Sequence, residues 1–418
     1  MNLFDEELNR RLAALRQQNL HRELRRVDTP QGTRIRIDGR TLLNFSSNDY
    51  LGLAGDPLLK EAAIRAVEKF GAGSGASRLI CGSLAPHHEL EAALANFKGA
   101  EAALSFSTGY ATAIGTICAL LGRDDVVVLD KLVHACIVDA ARLSGAKIRV
   151  FAHNDLNALE KILRWSSTFR LSAGTLKREL QPPRTLIVTE SIFSMDGDAA
   201  PLREIVALKE KHGAWLMVDE AHATGLCGKN RRGLVEESGV SSQIEIQMGT
   251  LGKAVGASGG YICGSRPLID FLVNRARSFI FSTAPVPAAA AAAAAGIRLI
   301  QSPEGERRLR TLWERVKQCR TGILPVSDSA KNGDRRGACP TLSAINPVLI
   351  GDEARAVAVS AALREQGIFV PAIRYPTVAR GQARLRVTVT ATHTAEDISL
   401  LVTALRSVRN LQSAIANE

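Results

Sequence analysis

From about residue 57 to residue 300 the chain alternates between two textures, and this alternation limits its fold more than any other feature. Stretches with apolar residues at helical spacing (57–70, 87–98, 108–121, 133–143, 202–212 and 266–277) are interleaved with short β-prone runs at 126–129, 148–151, 186–189, 215–218, 244–247 and 260–263. Repeated strand–helix units predict an α/β fold with a mostly parallel central sheet and helices on both faces. Ligands of such sheets gather at the carboxyl ends of the strands, so the polar residues that directly follow each strand are the first candidates for a site.

The flanks have other patterns. Residues 5–26 place Leu8, Leu12, Leu15, Leu20 and Leu24 at helical spacing among many arginines, which predicts an amphipathic helix or arm. A short β signal at Thr33–Ile37 turns at Asp38-Gly39 and leads into the polar, aperiodic stretch Leu43–Gly52, a loop of the kind that serves a site. Beyond the alanine tract 288–295 come a charged helix (303–320) and a Gly-, Pro- and Ser-rich segment at 321–341, taken as a surface insertion. Alternating strands and helices then predict a small α+β domain. The region 165–183 reads as a second surface loop. The expected division is an N-terminal arm (1–55), a large domain (56–300) and a small C-terminal domain (301–418).

Composition removes several classes. No apolar run approaches the roughly 18 residues of a spanning helix. The N-terminus is acidic at once, which is the wrong order for a secretory signal, and a cytoplasmic location is expected. The 7 cysteines form no Cys-x-x-Cys pair, so neither a zinc site nor a disulfide framework is expected. The formal charge of +11 is dispersed along the chain, which suits anionic small ligands better than nucleic acid.

The strand-end chemistry centres on Trp215–Lys253. An apolar strand runs into Asp219-Glu220-Ala221-His222, and the next strand leads to Thr250-Leu251-Gly252-Lys253. The first four residues match a helicase box, but no Gly-x4-Gly-Lys-[Ser/Thr] loop accompanies them. Gly71-Ala72-Gly73-Ser74-Gly75 has the wrong spacing for a dinucleotide site and follows a helix. A buried Asp–His pair and a surface lysine would explain any one residue, but not all of them at successive strand ends. A pyridoxal phosphate site uses them all: Lys253 for the aldehyde, Asp219 beside the pyridine nitrogen, and the helix start Ser107–Tyr110 with Thr250 for the phosphate. His222 can reach the phenolic oxygen, and His134 is the candidate to lie over the ring.

With these residues in place, the sequence resembles the α-oxoamine synthase family of fold-type I pyridoxal phosphate enzymes, from about Leu42 to Leu405. The motifs that carry the likeness are Asn44–Gly52, Ser74–Arg78, Thr189–Asp198, Asp219–His222, Thr250–Lys253, Phe281–Pro285 and Ala372–Val378. The resemblance implies a fold-type I transferase in which Lys253, Asp219, His134 and His222 do the chemistry. It implies that Gly109, Tyr110, Thr250 and Ser194 hold the cofactor, and that Ser282 and Thr283 reach the phosphate of a neighbouring subunit in a homodimer. Asn48 and Arg374 are expected at the amino acid carboxylate, and Thr377 with an arm arginine, best matched by Arg25, at the acyl-CoA. The implied reaction is a decarboxylative condensation of L-alanine with pimeloyl-CoA, or a pimeloyl carrier protein, in biotin biosynthesis. Glycine-using siblings, 2-amino-3-ketobutyrate CoA ligase or 5-aminolevulinate synthase, are the nearest rivals. A catalytically silent partner subunit is the rival from another class, although silent relatives usually lose the lysine kept here. No metal is implied.

Overall fold

The computed structural model describes residues 2–172, 183–323 and 343–415. Its centre is a sheet of 7 strands in the order Ala102–Phe106, Gly260–Gly264, Ile246–Thr250, Trp215–Asp219, Thr185–Glu190, Val126–Asp130, Lys147–Phe151. Gly260–Gly264 runs antiparallel to both neighbours, and every other pairing is parallel. The sheet is buried on both faces because its strands are apolar on both. Val126, Val128, Ile187, Leu216 and Val218 enter one core; Val127, Leu129, Leu186, Val188 and Met217 enter the other. Each such side chain contributes about 1.5–3 kcal/mol of burial. Helices Pro57–Phe70, Ala85–Lys98 and Pro287–Gln301 cover the first face. Gly109–Leu120, Ala135–Ser144 and Arg266–Arg275 cover the second.

The alanine-rich helix Pro287–Gln301 is packed rather than membrane-spanning, with Ala290, Ala293, Ala294 and Ala295 buried. Small side chains let it approach closely: a Cβ on Gly296 would stand 2.3 Å from the Val255 carbonyl oxygen. Among the described residues no helix is long and apolar enough to cross a membrane.

The strand Ala102–Phe106 lies where no strand was expected, since Ala-Ala-Leu-Ser-Phe contains no β-branched residue. Tertiary context makes it a strand, through antiparallel pairing with Gly260–Gly264 and burial of all its residues. The run expected at 244–247 forms its strand two residues later, at Ile246–Thr250. A helix, Leu156–Ser172, occupies the start of the expected loop at 165–183, and residues 173–182 lie outside the described residues. The helix Pro303–Ile323 likewise runs into the expected insertion at 321–341, of which residues 324–341 lie outside the described residues.

The hairpin Arg34–Ile37/Arg40–Asn44 turns at Asp38-Gly39, both with positive φ (51° and 75°), as a tight hairpin turn requires. Its second strand pairs in parallel with Ile368–Phe369. A second small sheet joins Ile345–Gly351, Ala383–Thr388 and Ala372–Ile373 in antiparallel pairings. The arm before the hairpin begins with the helix Leu3–Gln17, capped by Asn2, which buries none of its side chains.

One ionic cluster ties the carboxyl edge of the main sheet to the segment 191–199. His153 Nδ1 lies 3.0 Å from Asp130 Oδ1, and its Nε2 lies 2.7 Å from Asp198 Oδ2. Burial alone would lower the His153 pKa, but the hydrogen bonds to Asp130 and Asp198 outweigh it and lift the pKa from 6.5 to about 9. The stabilisation is therefore complete below pH 6.5 and is lost as pH rises through about 9. His153→Asn is expected to lower stability by on the order of 3 kcal/mol at pH 6 and to flatten the decline between pH 6.5 and 9. Thermal denaturation across that range checks it; an unaltered pH slope in the variant would contradict the ionic role.

Candidate functional site

Three adjacent parallel strands end together. Thr185–Glu190 stops at Glu190, Trp215–Asp219 at Asp219, and Ile246–Thr250 at Thr250, with Lys253 one turn further on. His134 enters from the segment after Val126–Asp130, as the N-cap of the helix Ala135–Ser144. Gly109 and Tyr110 enter at the start of the helix Gly109–Leu120, whose N-cap Thr108 accepts a bond from the Ala111 N–H (3.0 Å). The result is a cavity of about 180 Å³ lined by Gly109, His134, Glu190, Asp219, Thr250 and Lys253 among others.

A hydrogen-bonded chain leads out of the cavity. Lys253 Nζ lies 2.7 Å from His222 Nε2, and His222 Nδ1 lies 2.6 Å from the Tyr50 hydroxyl. Tyr50 donates to Asn48 Oδ1 at 3.3 Å, and Arg386 Nη1 donates to the same oxygen at 3.0 Å. A neutral His222 carrying its proton on Nδ1 satisfies every link. Burial, then Lys253 and Arg386, hold the His222 pKa well below the usual histidine value, which keeps it neutral. Burial also lowers Lys253, to about 8, with Asp219 and Glu190 working against it. Asp219 is raised by burial and drawn back chiefly by Lys253. His134 is lowered by burial, so its ring is an uncharged flat surface.

At the far end of the cavity the helix start meets the sheet closely. A Cβ on Gly260 would stand 2.8 Å from Gly109 N, and a Cβ on Gly109 would stand 3.8 Å from Thr250 Cβ. The first N–H groups of a helix lack intrahelical partners and attract anions, so this end suits a phosphate.

The pattern of the family described as aminotransferase class I and II matches residues 40–405. An 8-amino-7-oxononanoate synthase from an Anaeromyxobacter species is 49% identical over 96% of this chain and 95% of its own length. One from Herminiimonas arsenicoxydans is 44% identical over 97% of this chain and 100% of its own. The chain belongs to the aminotransferase class I and II family. Among solved structures, a serine palmitoyltransferase from S. paucimobilis with bound PLP–myriocin is similar at a TM-score of 0.86. It is 30% identical and covers 99% of this chain and 100% of its own. An 8-amino-7-oxononanoate synthase from Francisella tularensis is similar at 0.68 and 25% identity, covering 90% and 99%.

Membership of the aminotransferase class I and II family, with these relatives, makes the chain a pyridoxal phosphate-dependent acyltransferase of the 8-amino-7-oxononanoate synthase type. The cavity fits the cofactor on its own chemistry: an amine, a carboxyl, a flat neutral ring and a helix start surround it, and a buried oxygen, Glu190 Oε1, lacks a hydrogen-bond partner among the described residues.

The aminotransferase-type cavity brings together Gly109, Tyr110, His134, Asp219, His222, Thr250 and Lys253. The Ser194 carbonyl accepts from Arg386 Nε at 2.6 Å, which seats Ser194 beside the hydrogen-bonded chain. Asn48 sits at the end of that chain. Ser282 and Thr283 do not line the cavity; Thr283 is exposed and bridges to Ser77. Arg374 is not brought to Asn48 either. It donates to the His21 carbonyl of the arm at 2.8 Å. Thr377 meets the arm through Arg22, at 3.5 Å, while Arg25 is exposed and lies in the field of Arg364.

Sequence reasoning left out Tyr50, Glu190 and Arg386. The first two lie inside the motifs singled out at 44–52 and 189–198. Arg386 sits in a strand whose alternation suggests a solvent face, yet every residue of Ala383–Thr388 is buried.

Proposed function

We propose that this acyltransferase condenses L-alanine with pimeloyl-CoA, or with a pimeloyl thioester on a carrier protein, releasing CO2 and the free thiol and leaving 8-amino-7-oxononanoate. The observation that carries the reading is the amine of the half-buried Lys253, held 2.7 Å from a neutral histidine in the same cavity as Asp219. Bound pyridoxal phosphate supplies the electron sink that makes a proton on the substrate's Cα removable.

The chain's own residues do the rest. Lys253 holds the cofactor and moves the Cα proton; burial, by lowering its pKa to about 8, gives it a free amine near neutral pH. Asp219 faces the ring nitrogen and keeps its proton in place, and His134 covers the ring. His222 and Ser194 take the phenolic side. Gly109, Tyr110 and Thr250 take the phosphate, and Ser282 or Thr283 reaches the phosphate of a partner subunit in a homodimer.

The amino acid carboxylate falls to Asn48 and Arg386. Arg386 is 6% exposed and, among the described residues, forms no salt bridge. A buried cation without an anion is costly, so the arginine suits an anionic ligand that brings the missing charge. Arg374, Thr377 and the arm, with Arg22 nearer than Arg25, form a basic and polar surface suited to the acyl donor.

A substrate panel tests the reading. Thiol release is measured for alanine, glycine and serine against acetyl-, succinyl-, pimeloyl- and palmitoyl-CoA. Alanine with pimeloyl-CoA is expected to lead, with alanine over glycine by about tenfold or more, since one methyl group is worth roughly 1–3 kcal/mol in a pocket. Preference for glycine, or for serine with palmitoyl-CoA, rejects the assignment.

A further inference from the structure

Glu190 has no role in the scheme above, yet it stands inside the cavity. It ends its strand in register beside Asp219 on the neighbouring parallel strand, so both side chains leave the sheet on one face. Glu190 is 2% exposed and Asp219 5%. The backbone N–H groups of His134 and Ser194, on the two segments that flank the cavity, lie close enough to the Glu190 carboxyl to lower its pKa slightly against the larger effect of burial. Among the described residues Oε1 has no hydrogen-bond partner, although it is buried. A buried polar atom left unpaired costs about 1–3 kcal/mol, and a cavity-facing position lets a ligand relieve that cost.

The charges allow few arrangements. Asp219 and Glu190 share one close lysine, Lys253. Two neighbouring carboxylates do not both ionise readily in a dry site. A neutral carboxyl still offers the nearby N–H groups an acceptor oxygen, while its second oxygen can carry a proton.

We propose that Glu190 is a positioning residue of the cofactor site that works as a neutral acid. One of its oxygens faces the backbone at His134 and Ser194; the other presents a proton to the cavity and leaves Asp219 as the single negative group at the ring nitrogen. The inference rests on the pyridoxal phosphate site described above. Burial first, then Asp219, push the Glu190 pKa up to about 8, in keeping with a carboxyl that is neutral at pH 7. Above that value a second negative charge arises beside Asp219.

The test is a titration of the full-length chain with pyridoxal phosphate, followed by absorbance between pH 6 and 9.5, without substrates. Three proteins are compared: the unmodified chain, Glu190→Gln and Glu190→Leu. The unmodified chain is expected to change its cofactor spectrum and affinity as pH passes about 8. Glutamine keeps an acceptor and a donor, so affinity at pH 7 should stay within about threefold and the alkaline change should shrink to the part that Lys253, itself at about 8, contributes. Leucine removes both and should weaken binding by about tenfold or more at every pH. The idea is overturned if glutamine loses the cofactor at pH 7 as severely as leucine, which means an ionised carboxylate is required, or if its alkaline change is as large as that of the unmodified chain. The glutamine result decides even where the leucine chain fails to fold. An unmodified chain that takes up no cofactor rejects the site itself, and this inference with it.

Discussion

Lys253→Ala is expected to reduce turnover by about 10²–10⁴-fold, the share usually supplied by a positioned acid–base group. The amine lines the cavity and touches His222 at 2.7 Å, and no other lysine lines that cavity to replace it. His222 is held neutral by burial and by the cations around it, and it is a poor substitute base because its pKa lies well below 6.5. Cofactor should still enter the variant, since Asp219, His134 and the helix start at Gly109 are untouched. Borohydride treatment followed by peptide mass analysis distinguishes the two roles of the residue. The unmodified chain should carry cofactor mass on the peptide containing Lys253, and the alanine chain should not. Retention of full turnover would remove the lysine from the mechanism.

Arg386→Ala is expected to cut kcat/KM for the amino acid by roughly 10²–10³-fold, the scale at which loss of one partner of a buried charge pair is felt. The arginine donates to Asn48 Oδ1, to the Ser194 carbonyl and to Thr388 Oγ1, so its removal also takes a donor from each, and Asn48 Oδ1 keeps only Tyr50. Arg386→Lys keeps the charge but loses the planar fork, and it should recover only part of the loss. Arg374→Ala gives the contrast. That side chain bonds the arm at His21, and its removal should act on KM for the acyl donor instead. If Arg374→Ala proves the more damaging to amino acid KM, the carboxylate is held there and not at Arg386.

How far the sequence could foresee this site depended on the kind of signal each residue gives. Lys253, Asp219 and His222 follow apolar strands directly, and strand ends can be recognised from a run of Val, Leu and Ile alone. The doubly buried sheet was legible for the same reason. Ala102–Phe106 was not, because its strand state comes from pairing with Gly260–Gly264 and not from its own residues. Arg386 was hidden by its pattern: Leu385-Arg386-Val387 alternates like a half-exposed strand, and only packing against Ser194 and Asn48 shows that the polar face is inward. Arg22 and Arg25 differ by less than one helical turn, and no local pattern says which meets Thr377. Glu190 lay within a recognised motif, but its importance comes from Asp219 on the next strand, a neighbour in space and not in sequence.

The joining of early and late chain has a temporal consequence. Asn48 and Arg386 meet although 338 positions separate them, and Arg40–Asn44 completes a sheet only when Ile368–Phe369 is present. On a ribosome, the hairpin keeps one open edge until Ile368–Phe369 emerges. Contacts of such long sequence separation form late and slowly. A product ended at Gln301 would lack Arg386 and would leave the edge of Arg40–Asn44 that faces Ile368–Phe369 without its partner.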